Sequence, residues 1–300
     1  MGDIMPYPSE KFRVYPDTYI VQDRSQEEMA RLAIQDKMIT TGMGGVLPEL
    51  ADPIPLQQVL DVGCGTGGWL VEMVKTYPAI ERLVGVDISL TAVEYASAEA
   101  KDQHPDRRVQ FQVMDALRRL DFPPESFDLI NQRLGISWLR TWEWKKLLRE
   151  YQRLTRPGGI IRITEGDIIP ESNSAALTKL FDLLLEAFHR SGRLFTQGSD
   201  GVRGELVRIM TQCGIQDVKY QVHPCVFQAG TVQGQHFYQN IFRLFRVILP
   251  FFRKWIHVPG DYDEVYQQAL EEVQNPEFVA KSAFLTAWGT RNDKALSPRT

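Results

Sequence analysis

The sequence predicts an α/β protein with a mostly parallel sheet covered by helices on both faces, and three observations carry that prediction. The apolar run Val59-Leu60-Asp61-Val62 stops abruptly at glycines 63, 65 and 67, then gives way to the helical spacing Trp69, Leu70, Met73, Val74. Two further apolar runs end in acids, Leu83-Val-Gly-Val-Asp87 and Val109-Gln-Phe-Gln-Val-Met-Asp115. From about 57 to 164, apolar runs alternate with helical patterns, as strands joined by crossover helices require.

The elements follow in chain order. Residues 1–20 are rich in Pro and Tyr and read as irregular. Ser25 with Glu28 three places on has the form of a capping box, and the helix it opens runs through Met29, Leu32 and Met38 to the glycines at 42–45. Residues 48–55 read as a linker. Strands are expected at about 57–63, 82–87, 108–114, 126–132 and 160–164, with helices at about 89–102 and 141–154. Pro157-Gly158-Gly159 is the turn into the fifth strand. Beyond it, 173–190 is an amphipathic helix carrying Ala176, Leu177, Leu180, Phe181, Leu184 and Phe188 on one face. A helix at about 203–213 stops at Gly214, and a strand follows at about 215–223. An aromatic block from His236 to Trp255, a polar helix at about 261–274 and a last strand from Ser282 to Thr290 complete the chain, with a frayed tail after Arg291.

The first crossover is built for a ligand. Glycines at 63, 65 and 67 allow a tight turn and close backbone approach, and the next helix starts with free amides. Asp87, twenty residues past Gly67, stands where a carboxylate grips the hydroxyls of a ribose. The same glycines satisfy the dinucleotide pattern G-x-G-x-x-G at 63, 65 and 68, a weak signal by itself. Asp61 before the glycines, their G-x-G-x-G continuation and Asp115 tilt the reading away from it.

Asp61-x-Gly63-x-Gly65-x-Gly67, Asp87, Asp115, Phe127-Asp-Leu-Ile130 and Leu154-Thr-Arg-Pro-Gly-Gly-Ile-Ile161 together resemble the class I methyltransferases that use S-adenosylmethionine, in particular the small-molecule branch acting on natural products and quinones. Specific motifs cover about 55–165. The resemblance implies a Rossmann-like seven-stranded sheet with its last strand antiparallel, plus helical lid insertions. It divides the chain into an N-terminal helical cap (1–50), a cofactor-binding core (55–170), lid insertions (171–200 and 228–277), and the segments that complete the sheet (201–227 and 278–292). It implies S-adenosyl-L-methionine as cofactor, S-adenosyl-L-homocysteine as product, and methyl transfer by direct in-line displacement to an O, N or C acceptor.

The resemblance also assigns residues. Asp61 and the backbone near Gly63 face the methionine amino end, with Gly65 and Gly67 completing the turn. Asp87 is the ribose ligand, Ile88 packs on the adenine, and Asp115 with Ala116 meets the adenine edge. Asn131 and Gln132 line the site through backbone groups. Arg133 is either a partner of the methionine carboxylate or a surface arginine. Tyr19, Arg31 and Gln35 resemble cofactor-covering positions. No universal catalytic residue is expected, because the sulfonium methyl is already electrophilic and positioning supplies most of the rate. Candidates for proton transfer are Glu165, with Asp167 beside it, and His189, His236 and His257 in the lid segments. Each has a plainer reading as a polar turn or amphipathic filler. None of the five histidines has metal-ligand spacing, so no metal is expected.

Bulk properties narrow the partners. A formal charge of −4 over 300 residues argues against nucleic acid. Three scattered cysteines, at 64, 213 and 225, suit a reducing compartment, and Cys64 reads as a small residue in the glycine turn. The N-terminus lacks a signal layout and no run approaches the roughly 20 apolar residues that span a bilayer, so the expectation is a cytoplasmic protein, not an integral membrane one. The aromatic lid suggests a small apolar substrate such as an aromatic or terpenoid metabolite, as in secondary metabolism, or a homo-oligomer interface. The aromatics expected at the pocket are Phe181, Phe188, Phe237, Phe242, Phe245 and Trp255. The alternatives are a nicotinamide-dependent oxidoreductase and a catalytically silent cofactor-binding protein.

Overall fold

A computed structural model describes residues 19–21, 25–50, 56–103, 108–198 and 200–292. The irregular N-terminal stretch, most of the 48–55 linker, His104 and the end of the tail lie outside the described residues. The chain opens with α1 (Gln26–Gly42). Ser25 caps it by accepting from the Glu28 amide at 3.2 Å. The Glu28 carboxylate accepts from Arg31 three residues along, at 2.7 and 2.6 Å.

Five parallel strands follow with their crossover helices: β1 (Gln58–Val62), α2 (Gly68–Thr76), β2 (Arg82–Asp87), α3 (Leu90–Gln103), β3 (Val109–Val113), β4 (Phe127–Arg133), α4 (Trp144–Leu154) and β5 (Thr155–Gly166). The two faces of the sheet follow the period-2 alternation of the strands. Val59, Leu83, Leu129 and Ile160 pack with Trp69, Leu70, Met73 and Val74 of α2. Leu60, Val84, Ile130 and Ile161 pack with Trp144, Leu147 and Leu148 of α4 on the other face.

The second half adds β6 (Glu171–Ser172), α5 (Ala175–Arg190), α6 (Leu206–Gln212), β7 (Gln216–Gln228), α7 (Val232–Val247), α8 (Leu249–Trp255), α9 (Tyr262–Gln274) and β8 (Val279–Thr290). Pro250 divides the aromatic block into α7 and α8, sitting in the first turn of α8, where its missing amide costs nothing.

The sheet order is β3-β2-β1-β4-β5-β8, with β7 on the far side of β8. β8 runs antiparallel to both β5 and β7. The sheet has eight strands where seven are expected, because Glu171 and Ser172 pair with Lys281 and Ala280 at the extended start of β8. Order reverses between β1 and its neighbours β2 and β4, which opens a crevice at the carboxyl ends of these strands.

Candidate functional site

The turn after β1 is fixed from below by the Val86 carbonyl, which accepts from the amides of Gly63 and Cys64 at 2.8 and 3.0 Å. Gly65 and Gly67 have φ of 53° and 74°, a conformation that L side chains disfavour. Gly67 is also closely packed, since a Cβ there would stand 2.5 Å from the Phe111 ring. At Gly65 an added Cβ would enter open space. Its amide donates instead to the Asp87 carboxylate at 3.0 Å, and Asp87 also accepts from the Ser89 amide at 2.8 Å. Asp115, after β3, accepts from the Leu117 amide at 2.9 Å and pairs with Arg118.

One cavity of about 320 Å³ runs from this cradle to helices α5 and α7. Asp61, Gly63, Gly65, Asp87, Ile88, Asp115 and Ala116 line one part, with Tyr19 and Arg31 covering it from the N-terminal side. Phe181, Leu184 and Phe188 of α5 and Phe237, Ile241 and Leu244 of α7 line the other. Gly67 lies outside the lining and acts through the turn. Phe242, Phe245 and Trp255 lie outside it as well. Phe245 is buried edge-on against Phe181, Phe242 stacks on Tyr238, and Trp255 lies beneath the Arg140 guanidinium.

Asp61 is the end of a buried polar chain. Its Oδ1 accepts from Asn131 Nδ2 at 2.7 Å, Asn131 Oδ1 accepts from Arg162 at 2.6 Å, and Arg162 pairs with Glu49 beyond α1. Burial pushes the Asp61 carboxyl up to about 7, against the pull of Asn131 and Arg162 and with a further push from Asp87. Asn131 and Gln132 themselves do not line the cavity. Gln132 faces the other side of the sheet, where the Tyr151 hydroxyl donates to its Oε1 at 2.5 Å.

Arg133 does line the cavity, but its guanidinium is held by Asp36 and Thr40 of α1. Arg31 is buried, with Glu28, Gln35 and Asn240 around its guanidinium. Burial raises the Tyr19 hydroxyl despite the Arg31 charge beside it.

The proton-transfer candidates are placed apart from one another. Glu165 is buried outside the lining, and accepts from the amides of Gly135 and Ile136 at 2.6 and 3.4 Å. Burial pushes it up to about 8. Its carboxyl thus fastens the 3-10 turn Gly135–Ser137, whose Ile136 and Ser137 face the cavity. Asp167 lines the cavity and pairs with Arg203 at 2.9 Å. His189 and His257 are exposed, and His236 is half-buried, its imidazole lowered by burial and then by the Lys37 charge. None of the three lines the cavity. Asn240, unremarked in the sequence reading, does line it. Its signal was present: a lone carboxamide within the apolar stripe Phe237, Ile241, Leu244 of α7. Among the described residues no cluster of His, Cys, Asp or Glu is suited to a metal ion, and no helix is long and apolar enough to cross a membrane.

A family model described as a methyltransferase domain matches residues 59–159. The chain is 27% identical over 216 residues to the N-methyltransferase tcpN of Claviceps purpurea, covering 67% of this chain and 70% of that protein. It is 31% identical over 117 residues to a demethylmenaquinone methyltransferase of Porphyromonas gingivalis, covering 39% of this chain and 46% of that one. The fold is shared with phosphoethanolamine N-methyltransferase 2 of Haemonchus contortus, solved with phosphomonomethylethanolamine and S-adenosylhomocysteine. That similarity has a TM-score of 0.53 at 18% identity and covers 90% of this chain and 59% of the other. The chain thus spans more than two thirds of one of these proteins, and about half or somewhat more of the other two.

Proposed function

We propose that this chain, a class I methyltransferase by its sheet order, its matched domain and its relatives, transfers a methyl group from S-adenosylmethionine to a small, largely apolar acceptor. The observation that carries the reading is the single cavity that joins the glycine cradle to the aromatic lid.

The cradle fits the cofactor on its own residues. Gly65 leaves open space where a side chain would block approach, and Asp87 offers a carboxylate at the ribose position. Ile88, Ala116 and Leu117 form an apolar slot suited to a flat base. Asp61 stands at the amino end, where its carboxylate suits an ammonium group. When bound, the cofactor supplies an electrophilic sulfonium methyl. The protein's part is to bind both molecules, orient the acceptor and exclude water, which needs no dedicated base when the acceptor is already nucleophilic. Segments 171–200 and 228–277 serve as the lid that does this. The three free thiols suit a reducing compartment such as the cytoplasm.

The nicotinamide alternative is disfavoured by the β7–β8 antiparallel pair, which departs from the parallel six-strand order of dinucleotide folds. Incubation with methyl-labelled S-adenosylmethionine and a panel of neutral aromatic and terpenoid metabolites, with phosphoethanolamine alongside, tests the proposal. Label is expected in the organic phase. Label found only in phosphoethanolamine would sink the apolar-acceptor reading.

A further inference from the structure

Arg31 governs two carboxamides at the cavity wall. Glu28 takes its Nε and Nη2 at 2.7 and 2.6 Å. Its remaining nitrogen, Nη1, donates to Asn240 Oδ1 at 2.8 Å and to Gln35 Oε1 at 3.1 Å. A guanidinium only donates, so the network assigns each carboxamide oxygen to Arg31 and turns each NH₂ away from it. Asn240 is 6% exposed and lines the cavity beside Phe237, Ile241 and Leu244. Its Nδ2 meets no acceptor among the described residues. An oriented donor is therefore held among Phe237, Ile241 and Leu244 on the α7 side of the cavity, open to a ligand oxygen.

We propose that Asn240 selects the methyl acceptor, donating a hydrogen bond from Nδ2 to a carbonyl, phenol or ether oxygen of an otherwise apolar molecule. This rests on the methyltransferase reading above and names its substrate class. Because Glu28 neutralises Arg31, the donor is uncharged and fits a neutral oxygen rather than a phosphate or carboxylate. Arg31 is a positioning residue: without it the Asn240 amide is free to turn its oxygen to the cavity. A site built to donate to an oxygen discriminates against an analogue that lacks one.

The test uses the full chain saturated with S-adenosylhomocysteine and two probes, 2-acetylnaphthalene and 2-ethylnaphthalene, which differ by one carbonyl oxygen. Calorimetry on the wild type is expected to give the ketone about tenfold tighter binding. Asn240→Asp keeps an oxygen for Arg31 and removes the donor, so ketone affinity should fall to that of the hydrocarbon. Asn240→Leu should do the same without adding charge. Both variants should bind S-adenosylhomocysteine as the wild type does. Equal affinities in the wild type, no binding of the ketone, or a preference that survives both variants overturns the assignment. A loss of S-adenosylhomocysteine affinity in both variants would assign the carboxamide to the cofactor and overturn it too. A wild type that does not bind S-adenosylhomocysteine fails at the methyltransferase reading itself, a result distinct from a lost ketone preference.

Discussion

The Asn131 amide donates to the Asp61 carboxylate at 2.7 Å, and through its own oxygen it ties that carboxylate to Arg162. Asp61 and Arg162 are 3% and 1% exposed, and Asp61 is open only where it lines the cavity. Asn131→Leu leaves both without this partner. Each buried group left unmet costs about 1–3 kcal/mol, so the urea midpoint should fall by the equivalent of at least ~2 kcal/mol. A midpoint equal to wild type would mean that the chain of polar groups carries no stability.

The same carboxylate should make cofactor binding depend on pH. Burial raises Asp61 from 3.8 to about 7, so below that value the cradle presents a neutral acid. An ammonium-bearing ligand prefers the ionised form. Affinity for S-adenosylhomocysteine should therefore rise as pH is raised through about 7, and Asp61→Asn should flatten the profile. A wild-type profile that is already flat from pH 5.5 to 8.5 contradicts the placement of Asp61 at the amino end.

Glu165 gives a stability signature of opposite use. Its carboxyl is raised from 4.5 to about 8 in the folded protein, so the fold holds a proton that the unfolded chain has released between those values. The stability is fully present below about 4.5 and is lost as pH rises toward 8, by up to ~1.4 kcal/mol per pH unit. Glu165→Gln keeps an acceptor for the Gly135 and Ile136 amides and should remove that component of the slope. Unfolding curves of both proteins across this range decide it. Identical slopes would show that Glu165 is ionised in the fold.

The lid can be dissected by choosing residues on and off the cavity wall. Phe188→Ala and Phe237→Ala should depress methyl transfer at least tenfold through weaker acceptor binding, while S-adenosylhomocysteine affinity stays near wild type. Phe242→Ala and Trp255→Ala, which are off the wall, should leave acceptor KM within about threefold. The reverse ranking would place the acceptor on the outer face of α7 and α8.

Much of this was legible in the sequence, and the physical reason is locality. β1, the glycine turn and α2 are specified by residues within twenty positions of each other, and the acids at 87 and 115 stand at or just past the ends of their own strands, β2 and β3. What escaped depends on partners far along the chain. Glu49 and Arg162 are 113 residues apart, and Arg31 and Asn240 are 209 apart. No periodicity announces such pairs. The short β6 exists only because β8 extends past the end of β5 and offers Ala280 and Lys281 as partners. Aromatic composition drew attention to 171–200 and 228–277 but not to the facing of their side chains, and Phe242 and Trp255 lie off the cavity wall.

The most direct measurement is calorimetric titration of S-adenosylhomocysteine and of NADH into the wild type and into Asp87→Ala and Asp87→Asn. Asp87 also holds the Gly65 and Ser89 amides, so thermal unfolding of each variant separates loop damage from lost ligand contacts. The account predicts binding of S-adenosylhomocysteine and not NADH. It also predicts at least tenfold weaker binding in both variants, since each charge-assisted bond to a ribose hydroxyl is worth about 1.5–3 kcal/mol. Binding of NADH without S-adenosylhomocysteine, or dissociation constants unchanged in folded Asp87 variants, would contradict it.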